Sequence, residues 1–196
     1  MTFPASSKLA AISALQLICV AMASAQPRAN PQAEELARFA KRVSAYLSLQ
    51  KQVEGTLTSQ KETNDPERIT RHVANLANGI RAARANAKEG DVFKGASEQF
   101  RQMIREDAKD RSVRDAFAAM QEVPKHTPPK INAGYPEKAA LASVPALILK
   151  RLQRLPDGLE YRFMGRDLIL YDSKANLIVD VLHGAVPTVA KAAVAK

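Results

Sequence analysis

Histidines and carboxylates are the first side chains to weigh, because close spacing of these groups makes metal sites and general acid–base pairs. The chain has His72, His126 and His183. None has a second histidine three or four residues on, and no H-E-x-x-H occurs. Asp180 precedes His183 at the end of an apolar run, so that pair could share a cation with further ligands from elsewhere. Nucleophilic chemistry has less to start from. The single cysteine, Cys19, lies in the leading segment, and neither G-x-S-x-G nor a glycine-rich phosphate loop is present. Gly79, Gly90 and Gly95 read as packing or turn positions. The paired carboxylates Glu34-Glu35 and Glu106-Asp107 fall on basic, solvated helix faces. With no Trp and four Tyr there is little to stack against a sugar. No catalytic residue, cofactor or metal ligand set is assigned.

Positive charge is the remaining lead. The 196 residues carry a formal net charge of +9. Residues 26–124 hold 17 basic and 14 acidic side chains, and residues 125–196 hold 11 and 6. The excess is therefore concentrated toward the C-terminal part. Lys150, Arg151 and Arg154 fall within one expected short helix. Arg162 and Arg166 lie on or beside an expected hairpin. If that helix covers the hairpin, these five cations form an anionic-ligand-binding patch, with at least three of the arginines on one face.

The compartment bears on the partner. Lys8 precedes an apolar run, Leu9 to Val20, and Ala23-Ser24-Ala25 offers the small residues a signal peptidase accepts. The expectation is a signal peptide over 1–25, cleaved after Ala25, and a periplasmic or secreted chain without a transmembrane segment. Ile18 before Cys19 argues against lipidation, so the mature chain has no thiol and must be held by its core alone. An exported basic protein meets anionic lipid headgroups, acidic cell-wall polymers or a protein partner. Nucleic acid is not expected, because export removes it and no aromatic residues interleave with the cations.

The elements that must position these cations follow from periodicity. A flexible leader over 26–32 precedes a helical stripe of Leu36, Phe39, Val43, Tyr46/Leu47, Val53 and Leu57, interrupted by Gln50. Asn64-Asp65-Pro66-Glu67 is a strong helix start, and Ile69, Val73, Leu76, Ile80, Ala83 and Ala87 make the next stripe. Together these predict an antiparallel helical hairpin. Two shorter helices carry Phe100, Met103, Ile104 and Ala108, then Val113, Phe117 and Met120, the second opening on a Ser112/Asp115 capping box. The helical domain spans 33–124 and a proline-rich linker 125–129.

A small α+β module over 130–184 follows, with a loose tail from 185 to 196. Lys130 to Asn132 reads as a short strand, and Val144-Pro145 opens a helix running from Ala146 to Arg154. Leu159 to Phe163 alternates apolar and charged residues, Gly165-Arg166 makes a two-residue turn, and two further strands run over Asp167–Tyr171 and Asn176–Leu182. The fold class is α+β: a helical hairpin or bundle, then a three-stranded antiparallel meander with one short helix. Leu147, Ile148, Leu152, Tyr161 and Phe163 are expected to be buried together.

The segment Leu159 through Leu170 and on to Ile178-Val179-Asp180 resembles the C-terminal β-meander of small exported bacterial proteins of uncharacterised function, as do Tyr135-Pro136-Glu137 and Ser143-Val144-Pro145. A similar meander occurs in periplasmic proteins of nickel and cobalt homeostasis, but this chain has no His-rich stretch to match. The resemblance implies a compartment and a fold element, and no catalytic residue. The leading expectation is a non-enzymatic exported binding or interaction protein whose basic C-terminal module contacts an anionic partner. A periplasmic metal-stress accessory protein and a hydrolase without a recognisable motif are the alternatives.

Overall fold

The computed structural model describes residues 30–57, 64–122, 128–136 and 144–188. The expected signal peptide with Cys19, residues 26–29 of the leader, residues 125–127 of the linker with His126, Glu137, Ser143 and the tail beyond 188 lie outside the described residues. Among the described residues the elements run α1 (Pro31–Thr56), α2 (Pro66–Ala83), α3 (Ser97–Asp107), α4 (Arg111–Glu122), α5 (Ala146–Arg151), β1 (Leu159–Met164), β2 (Asp167–Asp172) and β3 (Leu177–Leu182).

Helix α1 starts at Pro31, inside the stretch expected to be a leader. Proline is well suited to a first helical turn, where no amide partner is needed. The α1 stripe buries Phe39, Val43, Tyr46 and also Gln50. At α2 the expected cap forms: the Asp65 carboxylate accepts from the amides of Glu67 (3.0 Å) and Arg68 (3.5 Å). Val53 lies against Gly79, where a Cβ would collide with it. Farther along, the Arg84 guanidinium sits 5.1 Å from the Tyr46 ring centre. Positions falling along α1 thus meet positions rising along α2, so the two helices form the antiparallel hairpin. Ile69, in the first turn of α2, is 46% exposed, although the stripe placed it inward.

Gly90 and Gly95 both have positive φ (84° and 80°) and turn the chain from α2 into α3. Before α4 the cap differs from expectation. Asp110 accepts from the Ser112 amide at 2.8 Å and its hydroxyl at 2.5 Å. Asp115 instead faces Arg111 at 3.8 Å, so no Ser112/Asp115 box forms. An Asp just before the helix satisfies the same early amide more directly.

Helix α5 is shorter than expected. It ends at Arg151, Leu152 turns to extended backbone, and Arg154 therefore lies beyond the helix. Ile148, Leu152, Tyr161 and Phe163 are buried, but Leu147 is 41% exposed. A six-residue helix lying on a sheet can bury only one narrow stripe, and Leu147 and Leu149 flank Ile148 on the outside.

The sheet is an antiparallel meander of order β1-β2-β3, with Gly165-Arg166 as the two-residue turn. Leu159, Tyr161, Phe163, Leu168 and Leu170 join Phe39, Phe93, Phe100, Ile104 and Phe117 in one hydrophobic core shared by helices and sheet. The opposite face carries Met164, Ile169, Tyr171, Ile178 and Val181, with Tyr135 and Ile131 packed against it. Residues 130–132 do not make the expected strand. Asn132 has φ 59°, and a turn there lets the Asn132 amide donate to Ile178 O (2.8 Å) while Ala133 O accepts from the Ile178 amide (2.9 Å). The free edge of β3 is thereby covered. Ala185 and Val186, placed in the tail by the sequence, are buried, and the Val186 amide donates to Arg166 O.

A bulge decides what β3 contributes. Leu170 pairs with Asp180, while Tyr171 pairs with Ile178, which leaves Val179 as the extra residue. Strict alternation from Leu177 would put Asp180 on the Tyr135 face. The extra residue moves it to the helical face, opposite Leu170. The freed Val179 carbonyl accepts from Arg84 Nη2 at 2.7 Å.

Candidate anion-binding site

Strand β1 is the sheet edge away from Asn132, and α5 leads into it through residues 152–158. Between this edge and the α5 segment lies an open cavity of about 750 Å³. Leu149, Leu152 and Leu155 supply its apolar wall, Leu159 to Arg162 its strand side, and Lys150, Arg154, Glu160 and Arg162 its charged groups. The Tyr161 hydroxyl donates to Gln153 O at 2.9 Å, which ties the strand to the segment opposite.

The five expected cations divide. Lys150, Arg154 and Arg162 line this one cavity. Lys150 and Arg154 are exposed and have no ionic partner among the described residues. Arg162 is partly committed: its guanidinium lies 3.8 Å from the Tyr171 ring centre and 4.9 Å from that of Tyr135, and it pairs with Glu160 at 2.9 Å. Arg151 turns away to α3, where it meets Glu106 (3.0 Å) and Asp107 (2.9 Å). Arg166 is held at the hairpin tip, donating to Val186 O at 3.0 Å. Arg151 and Arg166 thus tie the fold together outside the cavity, because each found a local acceptor that the linear sequence does not show.

The carboxylate pairs are likewise structural. Glu34 and Glu35 both reach Arg38, at 3.3 and 2.6 Å. Asp107 is buried and not on a solvated face; burial pushes its carboxyl upward, and Arg151 pulls it back.

The groups that sequence reasoning missed are two buried aspartates. Asp172 accepts from the Tyr46 hydroxyl and Gln50 Nε2, both at 2.6 Å, and from the amides of Lys174 and Ala175. The polar break in the α1 stripe was the available signal for this contact. Asp180 accepts from the amides of Gly90 (2.6 Å), Val92 (2.8 Å), Phe93 (2.8 Å) and Val181 (2.9 Å). Burial pushes the Asp180 carboxyl above the usual range, and these amides pull it down. Both carboxylates are fully occupied by the fold.

Asp180 and His183 do not share a site. Asp180 faces inward, and His183 is clamped from outside, with Nδ1 3.1 Å from Asp167 and Nε2 3.1 Å from Glu89. Each ring nitrogen faces a different carboxylate, and no group of three such residues is placed to hold a metal ion among the described residues. His72 is half-buried on α2.

The hydrogen bond to Glu89, then that to Asp167, raise the His183 pKa above its ordinary value, against the effect of burial. A raised folded-state value means stabilisation that is complete below the unfolded pKa of about 6.5 and lost as pH rises through the folded one. The ring is half exposed, so the effect is on the order of 0.5 kcal/mol. The urea midpoint of the native chain should exceed that of His183→Gln more at pH 5.5 than at pH 8.5. A difference that does not change with pH would remove the clamp.

The chain defines an α+β fold with a cationic cavity at a sheet edge. No family model, curated protein or solved structure matches it. No helix among the described residues is long and apolar enough to cross a membrane.

Proposed function

We propose that this chain is an exported, non-enzymatic binding protein of the small β-meander group its sequence resembles, and that the cavity beside β1 takes an anionic partner. The observation that carries the reading is the pair Lys150 and Arg154, exposed and without an ionic partner among the described residues, on the wall of a cavity that Leu149, Leu152 and Leu155 also line. Unpaired cations near a low-dielectric wall attract counter-charge more strongly than cations on open surface. The reading is supported further by the buried carboxylates Asp172 and Asp180, which serve as acceptors within the fold, and by the one carboxylate that lines the cavity, Glu160, which pairs with Arg162.

The test is co-sedimentation with phosphatidylglycerol vesicles and with peptidoglycan, together with retention on immobilised polyglutamate, each over a salt titration. The native chain should bind at least one probe at low salt and release it as the Debye length shortens toward ~8 Å near physiological ionic strength. The charge reversal K150E/R154E should abolish that binding with no change in thermal midpoint beyond ~2 °C, since both side chains are exposed. Binding that is absent for every probe at low salt, or unaltered by the double reversal, overturns the proposal.

A further inference from the structure

Exposed leucines, more than charge, set the outer face of α5 apart. Among the described residues the exposed large apolar side chains are Ile69 at 46%, Leu147 at 41% and Leu149 at 47%, so two of the three stand on one six-residue helix. An isolated exposed leucine is ordinary. Here the two belong to one surface. At about 100° per residue, Ile148 marks the inner side of α5, and Leu149, Ala146, Lys150 and Leu147 follow one another around its outer half. All four are exposed. Successive members lie three or four positions apart in the chain, which makes their side chains neighbours on the helix surface.

The helix is held in this orientation from within. Ile148 has no accessible surface, and Arg151, on the same side of the helix, pairs with Glu106 and Asp107 of α3. Arg154 follows three residues after the helix and is exposed, and it lines the cavity together with Leu149 and Lys150. Apolar surface and cations therefore meet on one face. A soluble polyanion or a cell-wall glycan answers the cations and leaves the leucines wet. A stable protein interface takes ~800 Å² from each partner around an apolar core, and two half-exposed leucines supply little of that. An anionic bilayer answers both. Its interface admits a few apolar side chains, and a lysine stem can lie along apolar surface while its ammonium stays at the phosphates. Each basic residue near such a surface strengthens binding roughly fivefold.

We infer that the anionic partner is a lipid bilayer surface: Leu147 and Leu149 enter the headgroup region of an anionic leaflet while Lys150 and Arg154 meet the lipid phosphates. This inference rests on the anionic-partner reading and narrows it. Two leucines and two cations give a reversible contact, short of a permanent anchor. A second copy of this chain would bring Lys150 and Arg154 against the same charges.

The experiment uses the protein recovered after export, with phosphatidylglycerol vesicles and uncharged phosphatidylcholine vesicles as the control. The chain has no Trp, so Leu149→Trp places a single reporter on this face and localises the contact whatever precedes it in the chain. On adding anionic vesicles the reporter emission should shift to the blue and be quenched by brominated acyl chains, with neither change on uncharged vesicles. The double variant L147S/L149S should weaken co-sedimentation with anionic vesicles about tenfold or more. Its thermal midpoint should stay within ~2 °C of the native value, since both side chains are exposed. K150E/R154E should abolish the same binding. Vesicle binding that L147S/L149S does not weaken, or a reporter that does not shift, overturns insertion and leaves the electrostatic reading standing. Binding to peptidoglycan or polyglutamate but not to anionic vesicles also overturns it, in favour of a polymer. A dimer in sedimentation that L147S/L149S dissociates assigns the leucines to a second copy instead. If no anionic probe binds at low salt, the anionic-partner reading falls as well.

Discussion

Replacing Asp180 by alanine should destabilise the chain by about 4 kcal/mol, the largest loss expected from any single polar side chain here. The carboxylate is inaccessible to solvent and serves four amides, three of which belong to the Gly90–Phe93 turn between α2 and α3. Alanine strands those donors where water cannot reach them, which costs far more than the net value of ordinary hydrogen bonds. A loss of that size takes a large share of a total of roughly 5–15 kcal/mol. Equilibrium urea unfolding measures it. Asp180→Asn should lose less, because one oxygen still accepts while the new NH₂ group faces a donor. A cost below ~1 kcal/mol for the alanine variant would show that the turn does not depend on this carboxylate.

Phe100→Ala should cost a similar amount, about 3–5 kcal/mol, for a different reason. Phe100 is fully buried, and its ring centre lies 4.9 Å from that of Phe39, 5.4 Å from Phe93 and 5.9 Å from Tyr161. One ring thus joins α1, the turn before α3, α3 itself and β1. Truncation removes the transfer free energy of the ring and leaves a cavity that four separate elements would have to collapse to fill. Thermal unfolding should show a fall of about 10 °C, at ~2–4 °C per kcal/mol for a chain of this size. Phe100→Leu, which retains most of the volume, should lose less than half as much. Equal losses for Ala and Leu would indicate that ring contacts, rather than the cavity, set the cost.

These two positions show where sequence reading succeeds and where it stops. Phe100 was legible: its spacing from Met103 and Ile104 puts it on the inner stripe of an amphipathic helix, and local periodicity is enough to say so. The Asp65 cap and the Gly165-Arg166 turn were legible for the same reason, since a cap or a tight turn is settled by a few neighbouring residues. Asp180 was not legible as a core group. Its inward orientation depends on one extra residue in β3, and a bulge is fixed by pairing with β2 rather than by the composition of β3. Gln50 gave a partial signal, as a polar residue in an apolar stripe, but its partner Asp172 lies 122 positions away. Of the five expected cations, three line one cavity. The expected helix and hairpin grouped all five without separating Lys150, Arg154 and Arg162 from the rest, and the engagement of Arg151 with Asp107 and of Arg166 with Val186 required the packed chain. The position of β1 at the sheet edge was beyond reach, because which strand lies outermost follows from topology.

The bonds from Tyr46 and Gln50 to Asp172, and from Gly90 to Asp180, join early helices to late strands across separations of 90 to 126 residues. Helices of this length emerge from a ribosome well before the strands that complete them. Through most of synthesis Phe39, Tyr46 and Phe100 have only other core residues of the helical part, such as Phe93, to lean on, and two carboxylates that later anchor the interior do not yet exist. Assembly is therefore a late event that waits for Leu182, slow for a chain so rich in helix. A product ending before β3 would carry a greasy, unfinished helical face, which makes it a substrate for chaperones and proteases and not a smaller version of the same protein.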